Sequence, residues 1–150
     1  MNALMTVIVL WLSTNFDLPA TRDLPRVEYV PAMKITALKY EGLAGSQFQI
    51  VNIPAQPGQR EVVSVYHDAT KTIYLNEDWM ADTPDKLSVL VHELVHHLQN
   101  VGNQKFACPE EREQLAYQAQ ERWLGLFGHD LLHDFEIDPF TLLVSTKCLY

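Results

Sequence analysis

The chain has 150 residues, 47% hydrophobic and 20% charged, which suits one ordinary domain with a packed core and excludes wholesale disorder. Eleven Lys and Arg against 19 Asp and Glu leave a net charge of −8, which argues against a nucleic-acid groove and against attraction to anionic membranes. Two cysteines are too few for a disulfide framework, and no apolar run reaches the roughly 18–20 residues of a membrane helix.

Ala3 to Leu12, ALMTVIVLWL, has the length of a signal-peptide apolar region. Ala20 follows Leu18-Pro19 as a small residue for cleavage, although no Lys or Arg precedes the run. The competing reading is a buried first strand, because Val7, Ile8 and Val9 are β-branched. Residues 1–20 are therefore expected to be either a signal peptide of an exported protein or an N-terminal strand. Residues 21–34 contain Pro25 and Pro31, show no periodicity and read as an extended arm. The main domain is expected over 35–150.

Ile35 to Tyr40 suits a strand or a short helix, broken at Gly42 and Gly45. Phe48 to Val51 reads as a strand ended by Pro54, Pro57 and Gly58. Glu61 to Tyr66 alternates weakly and Ile73 to Leu75 is another short strand, with 67–71 as a hairpin loop between them. The spacing then predicts a helix from Pro84, with Thr83 as N-cap and Asp85 near the positive end of the dipole. Leu87, Leu90, Val91, Leu94, Leu98 and Val101 recur at three- and four-residue steps, and Gly102 stands at the C-terminal cap. A second helix is predicted from Pro109, with Leu115, Ala119, Trp123 and Leu126 on one face and Gly128 as its stop. One or two short helices broken at Asp138-Pro139 complete the chain.

Residues 92–96 are His-Glu-Leu-Val-His. On a helix, residues four apart lie about 40° apart, so His92 and His96 can reach one ion. The apolar stripe lies opposite, so one side of the helix is expected to pack and the other to face a cleft. Glu93 projects between them, where a carboxylate can take a proton from a zinc-activated water. The third ligand is expected from the next helix. Glu113 falls about 160° from Leu115, on a face with Ala116, Tyr117 and Gln120, and is the first candidate. Glu110 is the second, and Glu111 falls on a separate face. Both of these also suit the first turn as compensation of the helix dipole.

The HELVH of 92–96, sixteen intervening residues, then Glu113-Gln-Leu-Ala116-Tyr117 resemble the gluzincin branch of zinc metallopeptidases. The longer string Leu90 to Gln99, with Cys108, Ala116-Tyr117 and Trp123-Leu124, is similar to an uncharacterised group of bacterial HELVHHLQ proteins. The resemblance covers residues 72–128. It implies an α+β, minimal zincin-like core: a small, mostly antiparallel sheet, the motif helix and a ligand-bearing helix after it. It also implies zinc (Zn2+) on His92, His96 and Glu113, Glu93 as catalytic base, and a peptide or protein substrate. Large gluzincin peptidases carry a further C-terminal helical domain, whereas 22 residues follow Gly128 here.

Other residues have plainer expectations. His97 sits at the edge of the stripe and is expected packed and hydrogen-bonded. His129 and His133, with Asp130 and Asp134, suit either a second metal site or a solvated turn, the turn being preferred. Tyr117 suits carbonyl polarisation or packing, and Trp79 and Met80 suit core or cleft wall. Cys108 and Cys148 are expected to be bridged if the chain is exported, and to be free or buried thiols otherwise. The leading function is a zinc-dependent hydrolase, most plausibly a peptidase, with the strand at 72–75 offering an edge to an extended peptide. The alternative is a zincin-fold protein that binds a metal or a partner without cleaving peptides. A structural zinc site is a third reading and requires a fourth ligand, His129 or His133.

Overall fold

The computed structural model describes residues 1–44 and 64–149. The expected strand at 48–51, its terminating prolines and the first half of the alternation at 61–66 lie outside them. The chain forms two compact units, one of residues 1–25 with 80–150 and one of residues 26–79. The architecture is α+β, as expected.

The smaller unit holds strand β1 (Arg26–Val30), helix α2 (Ala32–Ala44), and strands β2 (Ser64–His67) and β3 (Thr72–Asn76). The sheet order is β1-β3-β2. β2 and β3 form the predicted antiparallel hairpin, with Tyr66 opposite Ile73. Lys71 takes φ 48° in its turn. β1 runs parallel to β3, with Val27 opposite Ile73, so the sheet is mixed rather than mostly antiparallel. The expected arm thus contains a strand. Its partner lies more than 40 residues away, and nothing local announces such a pairing. β3 is the central strand, hydrogen-bonded on both sides, so residues 72–75 present no free edge to a peptide. The segment at 35–40 is helical, and α2 packs on β2 and β3. Ile35, Ile73 and Leu75 are fully buried.

The larger unit begins with helix α1 (Asn2–Asn15) and continues through α3 (Pro84–Val101), α4 (Pro109–Gly125), α5 (Leu131–Asp134) and α6 (Pro139–Thr146). The strand reading of Val7 to Leu12 is corrected, because these residues are helical. Met5, Ile8, Val9 and Leu12 form its buried stripe, at the spacing of one helical face. Val7 and Leu10 on the opposite face are exposed and apolar too, which hid the period in the sequence. α1 packs on α3, and Trp11 meets Trp123 of α4 edge to face at 5.3 Å. Arg122 donates to the Asn15 carbonyl and lies over the Phe16 ring.

α3 starts and stops where predicted, with two differences. Thr83 is the N-cap by position, but its buried Oγ1 makes no hydrogen bond. The left-handed residue after the helix is Asn103, at φ 51°, while Gly102 stays right-handed at φ −75°. Glycine at 102 serves close approach instead. A Cβ there would lie 3.2 Å from the Leu98 carbonyl oxygen and 3.4 Å from the Pro19 ring. Past α4, Gly128 takes φ 73° and His129 N–H closes on the Leu124 carbonyl, which ends the helix as predicted. The buried face of α4 is Ala116, Ala119, Gln120, Trp123 and Leu124. Leu115 is half-buried and Leu126 is exposed, so the predicted stripe was partly misplaced. Asp138 caps α6 by accepting from Thr141 N–H. A disulfide joins Cys108, the N-cap residue of α4, to Cys148 beyond α6. No described helix is long and apolar enough to cross a membrane.

Candidate metal centre

α3 and α4 make the most extensive helix pairing of the larger unit, and the three predicted ligands meet across it. Ala116 is fully buried, and its single methyl group lets the two helix backbones approach. His92 Nε2 lies 2.9 Å from one Glu113 carboxylate oxygen, and His96 Nε2 lies 3.3 Å from the other. The two imidazoles stand edge to face, 4.9 Å between centroids, as expected for residues one helical turn apart. One ligand atom from each of His92, His96 and Glu113 falls within 4.8 Å of the other two. Among the described residues this group has three members.

The other candidates fall elsewhere. Glu111 accepts from Ala107 N–H at 2.7 Å, a hydrogen bond across the helix start. Glu110 does not enter the group. His129 and His133 both turn Nδ1 to Asp134, at 2.5 and 3.2 Å, and Asp130 caps α5 through His133 N–H. They supply no fourth ligand. His97 is fully buried and donates from Nε2 to the Asp23 carbonyl at 2.6 Å, as expected of a packed histidine. Trp79 is buried and Met80 is exposed.

Charge in the site follows from burial and proximity. Burial pushes the Glu113 carboxyl up, but the His96 and His92 rings outweigh it and hold the group well below the usual carboxylate range. Burial likewise opposes charging of His96, yet the Glu113 carboxylate, with a smaller push from Glu93, raises it above the ordinary histidine value. Tyr117, whose ring packs edge to face on His92 at 4.7 Å, is pushed up to about 12 by burial and by the Glu113 and Glu93 carboxylates. Glu93 is buried, close enough to act on both His96 and Tyr117.

The side of α3 opposite its apolar stripe is covered as well. Burial runs round the helix from Ser88 to Gln99 and spares only His92. Solvent reaches the site at the 13%-exposed His92 side chain and the 34%-exposed Glu113 side chain.

Three further side chains hold the histidines from behind. His92 Nδ1 meets Gln120 Oε1 at 3.1 Å, and His96 Nδ1 meets Gln99 Oε1 at 3.1 Å. Arg112 donates to Gln99 Oε1 and to the His96 carbonyl. Gln120 had a signal, since it stands seven residues after Glu113 and so on the same helix face. Arg112 had none, because its partners depend on how α3 and α4 pack.

The donor set suits a borderline-soft divalent ion. Two imidazoles and one carboxylate, with each imidazole hydrogen-bonded through its other nitrogen, form a donor set that could hold such an ion. No curated protein and no solved structure matches the chain. A family model described as Domain of unknown function (DUF6647) matches residues 1–149. That span takes in α1, both ligand-bearing helices and both cysteines, and the chain belongs to the DUF6647 family.

Proposed function

We propose that the protein is a zinc-dependent hydrolase of the gluzincin type, most simply a peptidase. The observation that carries this reading is the meeting of His92, His96 and Glu113 ligand atoms within 4.8 Å, beside a buried glutamate that follows the first histidine. His92, His96 and Glu113 would hold the zinc. When bound, zinc supplies a Lewis acid that makes water nucleophilic near neutral pH. Glu93 would accept the proton from the attacking water and later deliver it to the leaving amine. Tyr117, whose ring packs on His92, stays protonated at neutral pH and keeps its hydroxyl as a donor.

Glu93→Gln tests the assignment, since it removes the base and no ligand. The variant is expected to keep zinc and lose cleavage of a defined peptide library, while wild-type cleavage is abolished by a chelator and restored by zinc. Zinc retained without cleavage in the wild type favours the metal- or partner-binding alternative.

The bridge between Cys108 and Cys148 supports work in an oxidising compartment, periplasmic or secreted. Intact mass of protein from its native host reads the bridge and residues 1–20 in one measurement. Reduction adds the mass of two hydrogens if the bridge is present, and the total shows whether α1 is kept.

A further inference from the structure

Each motif histidine turns one ring nitrogen to Glu113 and the other to a glutamine amide. An amide can face either way, so its own partners decide which end the histidine meets. For Gln120 the partner is Ser88. The Ser88 hydroxyl donates to the Asp85 carbonyl at 2.6 Å, leaving its oxygen to accept. Gln120 Nε2 donates to that oxygen at 3.1 Å, which points Gln120 Oε1 at His92 Nδ1. For Gln99 the partner is Arg112, from both ends. The Arg112 carbonyl only accepts and takes Gln99 Nε2 at 3.1 Å, while Arg112 Nε only donates and takes Gln99 Oε1 at 3.3 Å. The same oxygen faces His96 Nδ1.

An amide oxygen cannot donate, so both Nδ1 atoms must carry the hydrogen. Both glutamines are buried, at 1% and 4% exposure. Turning Gln120 over would set its oxygen against the Ser88 oxygen, acceptor facing acceptor, and turning Gln99 over would set acceptor against acceptor at the Arg112 carbonyl and donor against donor at Arg112 Nε. We propose that Gln99 and Gln120 are positioning residues that hold His96 and His92 with Nδ1 protonated, so that both Nε2 atoms are presented toward Glu113 before any metal arrives. The two locks are reciprocal. Gln120 reaches from α4 to a histidine on α3, and Gln99, on α3, is held by Arg112 of α4. The inference rests on the metal reading of the site for its purpose, but not for its geometry.

Long-range proton–nitrogen NMR of the histidine rings tests it, in metal-free protein and after addition of zinc. Both Nδ1 atoms are expected to bear a proton in each sample, with Nε2 shifted by zinc. Gln120→Leu should weaken zinc by about 10- to 100-fold and lose the single His92 ring pattern. Gln120→Glu should restore both, because a carboxylate oxygen accepts the same proton. For His96, Gln99→Leu should likewise weaken zinc and Gln99→Glu should likewise restore it. Zinc bound through either Nδ1, or leucine variants with wild-type affinity and spectra, would overturn the proposal. If the wild type takes up no zinc, the metal reading fails, and the metal-free ring spectra decide the tautomer claim alone. Those spectra need no variant, so a leucine substitution that unfolds the protein does not block the test.

Discussion

His92 and His96 stand four residues apart, and so do His129 and His133; a carboxylate lies within hydrogen-bond reach of each pair. The first pair sits inside the 18 residues of α3, where a regular helix brings both rings to one side. Its carboxylate comes from another helix and bridges the two Nε2 atoms. In the second pair only His133 is inside a helix, and that helix has four residues. Its carboxylate is the neighbouring Asp134, which takes both Nδ1 atoms, and the His133 side chain is 89% exposed. Spacing alone therefore does not make a site. What separates the pairs is an unbroken helix and a carboxylate arriving from a distant element. A further difference is that a second polar partner occupies each Nδ1 of the first pair.

The largest expected effect concerns the staple around both regions. The Cys108–Cys148 bridge closes a separation of 40 residues that contains Glu113 and the whole second cluster. Replacing both cysteines by serine should lower unfolding free energy by about 4 kcal/mol in denaturant titrations. Zinc affinity measured alongside shows whether Glu113 depends on the staple. Unchanged affinity would assign its placement to α3–α4 packing alone.

Ligand removal comes next. Glu113→Ala should weaken zinc by more than about 100-fold, beyond the range seen for residues that only support ligands. Glu110→Ala, His133→Ala and Asp134→Ala should leave affinity within about twofold in competition with a chromophoric chelator. A large loss from Asp134→Ala would erase the contrast between the clusters.

The smallest effect is electrostatic. Hydrogen bonds from His129 and then His133 hold the Asp134 carboxyl below its ordinary value of 3.8. A depressed folded value contributes stability that is complete above the unfolded value and is lost as pH falls through the folded one. Asp134→Asn should thus lower the Tm slightly at about pH 6, and the difference should shrink as pH falls below the ordinary carboxylate value of 3.8. The carboxylate is partly exposed, so salt should shrink the effect further. A gap that widened in acid would reverse the assigned sign.

Most of the candidate metal centre was legible because it is written in helical phase. His92, Glu93 and His96 share one helix; helix angle set Glu111 apart from Glu113, and the first-turn position of Glu110 ranked it second. The glutamines were harder, since a polar residue at a buried seam looks like a surface residue until the partner helix is known. Arg112 was beyond reach for the same reason. In the fold, helix ends and hairpin were legible from local chemistry, whereas β1 was missed because its partner strand is remote in sequence. The α1 error had another cause. Apolar residues on both faces of Asn2–Asn15 erased the period that distinguishes a helix from a strand, and only burial separates Ile8 from Val7.

The packing of Trp11 on Trp123 gives α1 an optical signature. Two indoles crossed at 83° with centroids 5.3 Å apart couple their excited states, and such a pair produces a paired positive and negative band in circular dichroism. The remaining tryptophan, Trp79, belongs to the other unit. A couplet that vanishes in Trp11→Phe would report the seating of the first helix without a label. Followed during heating, it would show whether α1 leaves the bundle before the rest of the protein melts.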